Sequence, residues 1–188
     1  MRVIALLLAA AVGLAACGTS GGGSAKQYKI DSGNTSRVQF RVLDSVNALR
    51  QASGAPVVTL NAQLNAAAAT HARDMSRQNR PWHFGSDGSS PLDRVARVGY
   101  PGTLSGETIS ESYESEVETL AAWMEQDDTR SVILDRAARD MGFAWFQEDN
   151  GKIWWTLVMG EPTTAQFTTV ADTQTSEASD TNPFSSIN

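Results

Sequence analysis

His83 and Glu107 stand 24 residues apart, each inside a short apolar run, and they are the side chains whose types could do chemistry together. An imidazole and a carboxylate held within about 3 Å form an acid/base pair if a substrate reaches them. The requirement is that two distant segments converge in a groove open to solvent. The same pair can instead tie two strands together by a hydrogen bond. Nothing near it reads as an activated nucleophile, because Ser86, Ser89 and Ser105 lie in Gly-rich loops where serine is ordinary turn chemistry. Gly18-Thr19-Ser20-Gly21-Gly22 matches the G-x-S-x-G hydrolase pattern. That pattern works only on a strained turn between a strand and a helix, and here it falls in a Gly/Ser linker, so the match is chance.

The elements that must position the pair follow from periodicity. Val38, Val42, Val46 and Leu49 recur at helical spacing, and Gly54 and Pro56 end that helix. A second helix runs from about Leu60 to Gln78, with Leu64, Ala68, His71 and Met75 in one stripe. His71 therefore points inward, as a core residue with satisfied ring nitrogens or as the floor of the cleft. Ser90-Pro91-Leu92-Asp93 reads as an N-cap, a proline at the first helical position and an acid in the first turn, with Gly99 closing a short helix. Ser115 and Glu118 form a capping box for a helix beginning near Glu116, whose dipole Glu114, Glu116 and Glu118 suit.

After Met141, GFAWFQ and KIWWTLVMG flank Asn150-Gly151 and predict a hairpin, with Trp145, Trp154 and Trp155 packed beneath helices. Short strands are expected around Trp82-His83 and Thr108-Ile109. Helices followed by strands imply an α+β domain over residues 37–161, about the commonest domain size.

Ala68, His71, Ala72, Asp74 and Met75, then His83, then Asp87, Gly88, Pro91, Asp93, Arg94, Gly99 and Tyr100, and finally Gly106 and Glu107, follow in order. With Asn47, Arg50, Gly54 and Pro56, this series resembles the CAP superfamily of cysteine-rich secretory proteins, antigen 5 and pathogenesis-related proteins, in its bacterial SCP-like branch. The resemblance implies a three-layer α-β-α sandwich. It also implies a cleft lined by two histidines and two acids that can hold a divalent metal, with His83 as the first histidine and Glu107 as an acid. The segment Trp123 to Leu134 corresponds to the helix bearing the second histidine, and Thr129 occupies that position; Thr108 replaces the asparagine that normally follows the glutamate.

A hydroxyl is a poor zinc ligand, and catalytic zinc usually takes three protein ligands. His71, His83 and Glu107 could supply three only if His71 turned out of the core, so no metal or other cofactor is expected. Asp127 and Asp128 read as solvated helix-end or loop residues. The expected function is a binding or scaffold module with a degraded His/Glu cleft, for a small apolar ligand or an envelope component, since relatives have been linked to sterol or lipid binding. The alternative is a peptidase-like hydrolase using His83 and Glu107, with or without a divalent metal, because proteolysis has been proposed for some relatives.

The ends point to an address. Arg2 and the apolar stretch behind it, about 14 residues, are too short to span a bilayer and read as a secretion signal over residues 1–16. Leu14-Ala15-Ala16-Cys17 resembles a bacterial lipobox, which would lipidate Cys17 and place the protein on a membrane surface, outside the cytoplasm. Gly18 follows the cysteine where aspartate favours inner-membrane retention, so the outer membrane is expected in a Gram-negative host. Residues 17–36 read as a flexible linker and 162–188 as a disordered polar tail. Cys17 is the only cysteine, so no intramolecular disulfide can form. Removing the signal leaves 14 Lys and Arg against 21 Asp and Glu, a net of −7 that disfavours nucleic acid as a partner.

Overall fold

The computed structural model describes residues 28–112 and 115–163. The expected signal over residues 1–16, Cys17 and the start of the expected linker lie outside these residues, as does most of the expected tail, from residue 164. A single 3-10 turn, Ser32–Asn34, leads into helix α1 (Thr35–Ala52). The chain continues through β1 (Thr59–Leu60), α2 (Ala62–Gln78), α3 (Pro91–Arg97) and β2 (Thr103–Glu111). It closes with α4 (Glu116–Glu125), α5 (Asp127–Ile133), β3 (Asp140–Gln147) and β4 (Ile153–Glu161).

The strands form one sheet in the order β1-β3-β4-β2, with β4 antiparallel to both long neighbours and β1 parallel to β3. Side chains alternate across a strand, and this alternation builds two cores. Phe143, Ile153, Trp155, Leu157 and Met159 pack against α1, α4 and α5 through Val38, Val42, Val46, Leu120, Trp123 and Ile133. On the other face, Ala144 and Val158 meet Leu64, Ala67 and Ala68 of α2 and Val95 of α3, while Trp154 meets Ala72 and Met75. The result is the α+β sandwich of three layers, and each tryptophan of β4 is fully buried in its own layer.

The caps fall where the residue types require. Asn61 accepts from the N–H groups of Gln63 and Leu64 to open α2, and reciprocal capping boxes open α3 at Ser90/Asp93 and α4 at Ser115/Glu118. The hairpin turns through Gly151 at φ 92°. Arg50, fully buried at the end of α1, donates to the carbonyls of Pro56, Ile133 and Ala138 and joins three segments at one point.

Two expectations change. The stretch 28–36 is not linker: Tyr28 and Ile30 pack against the first core, Tyr28 donates its hydroxyl to the buried Glu116, and α1 starts at Thr35. A tyrosine and an isoleucine separated by one residue are enough to dock a segment that composition alone makes look polar. Trp82-His83 is not a strand either, because its polar groups face α2 instead of a ladder: Trp82 O pairs with the His71 ring and the Trp82 indole N–H donates to Gln78.

Candidate functional site

Three elements converge on Glu107 of β2. It lies on the face of β2 turned toward α2 and α3, opposite Val158 of β4. α2 brings His71, α3 brings Arg94, and the loop after α2 brings His83. α2 stops at Asn79, whose left-handed φ of 48° reverses the chain so that Arg80 to Phe84 run back beside the sheet. The following loop is pinned by Asp74, which accepts from both the N–H and the hydroxyl of Ser86 and from the Gln78 side chain. Burial pushes the Asp74 carboxyl up, but these hydrogen bonds together hold it below the usual range.

His83 Nδ1 stands 2.9 Å from Glu107 Oε1, so the imidazole and carboxylate do meet. The imidazole side chain is 48% exposed and the carboxylate only 3%. Of the pair only the histidine reaches solvent, which corrects the expectation that both groups line a solvent-accessible groove. The physical reason is Arg94, itself 4% exposed, whose Nη2 lies 2.9 and 2.8 Å from the two carboxylate oxygens while Nη1 donates to the Ser89 carbonyl. Sequence reasoning placed Arg94 only as a motif position and as a member of a short helix. The signal that could have found it is an arginine beside Val95, a core position, with an acid 13 residues on at Glu107.

His71 is fully buried, as its place in the apolar stripe requires, with Nε2 at 3.0 Å from Trp82 O and 3.7 Å from Glu107 Oε1. Burial lowers its basicity more than Glu107 raises it, so it stays neutral, donates through Nε2 and leaves Nδ1 without a partner. For Glu107 burial acts in the opposite sense and raises the pKa. The hydrogen bond from His83 and the charge and hydrogen bonds of Arg94 outweigh it and keep the group ionised.

Thr129 does not join the cluster. Its hydroxyl donates to the Trp123 carbonyl at 2.6 Å, closing the junction between α4 and α5, and Asp127 and Asp128 are exposed at the start of α5. A divalent metal needs ligand lone pairs that are free to bind. Both Glu107 oxygens face Arg94, His71 Nε2 faces a carbonyl, and among the described residues no three His, Cys, Asp or Glu side chains form a metal-holding group. The donor set does not fit a metal ion.

What remains chemically available is one half-exposed imidazole, oriented by a carboxylate that is already neutralised. Beside it, Trp82 and Phe84 stand with ring centroids 5.4 Å apart, and the Arg80 guanidinium lies 3.9 Å from the Trp82 ring. Phe84 is 47% exposed.

A three-layer sandwich whose helices and loop gather histidines and an acid over the sheet is the architecture of secreted CAP domains. The chain belongs to the Cysteine-rich secretory protein family, CAP, which it matches over residues 43–159. It is 25% identical over 128 residues to the uncharacterized protein YkwD of Bacillus subtilis, covering 68% of this chain and 49% of YkwD. The chain thus spans about half the length of that curated relative.

The fold is similar to that of an outer surface protein of Borrelia burgdorferi, with a TM-score of 0.64 at 15% identity over 72% of this chain and 98% of that one. It is also similar to an extracellular SCP-domain protein of Bacillus anthracis, with a TM-score of 0.61 at 20% identity over 68% of this chain and 41% of that one.

Proposed function

We propose that this protein is a lipid-anchored, extracytoplasmic CAP module of the cell envelope that acts by contact and not by turnover. The observation that carries this reading is the closure of Glu107. A carboxylate that is buried and shares both oxygens with a buried guanidinium is a weakened base with little access to a substrate or a water. His83 is left as a half-exposed recognition group, flanked in the chain by the Trp82 and Phe84 rings. A small apolar ligand or an envelope component is the class of partner this surface suits. The lipobox-like Leu14-Ala15-Ala16-Cys17 and the surface and extracellular proteins that share the fold support placement outside the cytoplasm, on the outer membrane in a Gram-negative host.

Two measurements test the proposal. Expressed in a bacterial host fed labelled palmitate, the full chain is expected to carry label and sediment with membranes, and Cys17→Ser to lose both; an unlabelled wild type would refute the anchor. Incubated with labelled casein, wild type and His83→Ala are expected to give the same background release. Cleavage by wild type that His83→Ala abolishes at an unchanged melting temperature would establish a hydrolase instead.

A further inference from the structure

The sheet has an unfinished edge on the side away from Glu107. β1 covers only Asp140 and Met141 of β3, and beyond them the odd-numbered residues of β3 turn their main-chain groups away from β4. The alternation is visible in their partners: Met141 O accepts from Asn61 N–H, Phe143 N–H donates to the Asn65 side chain, and Phe143 O accepts from Gln39. Trp145 is the next residue in this series. Among the described residues nothing reaches its N–H or C=O from the open side.

That edge lies in a slot of about 470 Å³ between α1 and α2. Ala66 and Ala69 form the α2 wall, Ile30 stands on the α1 side, and Trp145 and Phe146 line the strand. The volume falls within the range of ligand sites.

We propose that this slot receives an extended peptide segment of a partner protein, which adds to β3 as a short strand. The polar groups along the strand decide the occupant. A hydrocarbon chain laid in the slot would cover the N–H and C=O of Trp145 without hydrogen bonds, which is costly for buried groups. A peptide in the β conformation supplies an acceptor and a donor at the spacing these groups present, as in other strand-addition complexes. Two residues on, extended chain already lies against this edge, held there by a side chain: the Gln147 carboxamide accepts from Ile30 N–H and donates to the Tyr28 carbonyl.

Alternating side chains of the added strand would face the two walls. The two alanines of α2 leave room for an apolar residue beside Phe146. Arg73, one helical turn beyond Ala69, holds its guanidinium 5.7 Å from the Phe146 ring and favours an acidic residue next to it.

The probe is a blocked pentapeptide, acetyl-Thr-Val-Thr-Val-Glu-amide, titrated into the isotopically labelled full chain while the backbone amides are followed by NMR. The Trp145 amide is expected to shift in a saturable way. The same peptide N-methylated at alternate residues is expected to bind at least tenfold more weakly, and so is the unmodified peptide to Ala66→Trp, with that variant's melting temperature unchanged. The proposal is overturned if the Trp145 amide does not move, if N-methylation leaves affinity unchanged, or if decanoate displaces the peptide and binds as tightly, which would make the slot a purely apolar site. Because the readout is at β3, on the far side of β4 from Glu107, failure here leaves the reading of His83 standing.

Discussion

Glu107 is a buried charge whose partner is also buried, and such pairs cost more when broken than they contribute when whole. Arg94→Met leaves the carboxylate without its guanidinium and is expected to lower stability by about 3–5 kcal/mol, read from urea denaturation. The acid side has a definite sign. The folded-state pKa of Glu107 lies below its unfolded value, so its contribution is complete above that unfolded value, near 4.3, and fades as pH falls through the folded pKa. The stability gap between wild type and Glu107→Gln is therefore expected to narrow at the acid end of that window.

His71 titrates in another window. Its folded pKa is depressed chiefly by burial, so the unfolded chain binds the extra proton first, and stability falls as pH drops below about 6.5. Denaturation at pH 7.5 and 5 is expected to show that loss in wild type and a smaller one in His71→Gln. His71 was legible as buried from its helical stripe, and the meeting of His83 with Glu107 from the order of motif residues. Arg94 was not, because an arginine on a seven-residue helix reads as solvated until the packing of α3 against β2 is known.

At the scale of elements, the site depends on how closely α2 approaches the sheet. Gly142 of β3 makes that approach possible: a Cβ built there would overlap the carbonyl carbon and oxygen of Leu64. The obstacle is backbone and cannot swing aside. Gly142→Ala is expected to cost at least the 1–3 kcal/mol or so of an overpacked core and to loosen α2 as a unit, visible as faster amide exchange along that helix.

Sequence periodicity located α1 and α2, and the caps at Ser90 and Ser115 marked where α3 and α4 begin. It missed the break between α4 and α5, where Gln126 takes φ −102° and ψ 133°, because no proline or glycine marks it. The Trp82-His83 strand failed for a related reason. Aromatic residues have strand propensity, but a strand exists only where a neighbour offers a ladder, and here the neighbour offers side chains.

For the whole molecule, one cysteine in the chain means that the described domain holds its shape without an intramolecular disulfide. Its thermal midpoint is expected to be the same with and without dithiothreitol. The acidic balance, with 21 Asp and Glu, makes tight attachment to anionic head groups unfavourable, and the Cys17→Ser chain is expected not to sediment with phosphatidylglycerol vesicles at physiological salt. The layer order was readable from the sequence through the family resemblance, whereas the docking of Tyr28 and the open edge of β3 emerge only once the strands are paired.

That docking has a mechanical consequence. Tyr28 is held beside Gln147 at the hairpin end of the sheet, while Thr163 donates to the Pro101 carbonyl at the other, where Glu161 pairs with Thr103. β4, nine residues and about 30 Å long, spans the distance between them. Tension applied at the two places where the chain enters and leaves the domain would run lengthwise along this central strand, loading its two flanking ladders in shear. That is the direction in which a sheet resists pulling best, and it suits a domain held at one end and engaged at the other.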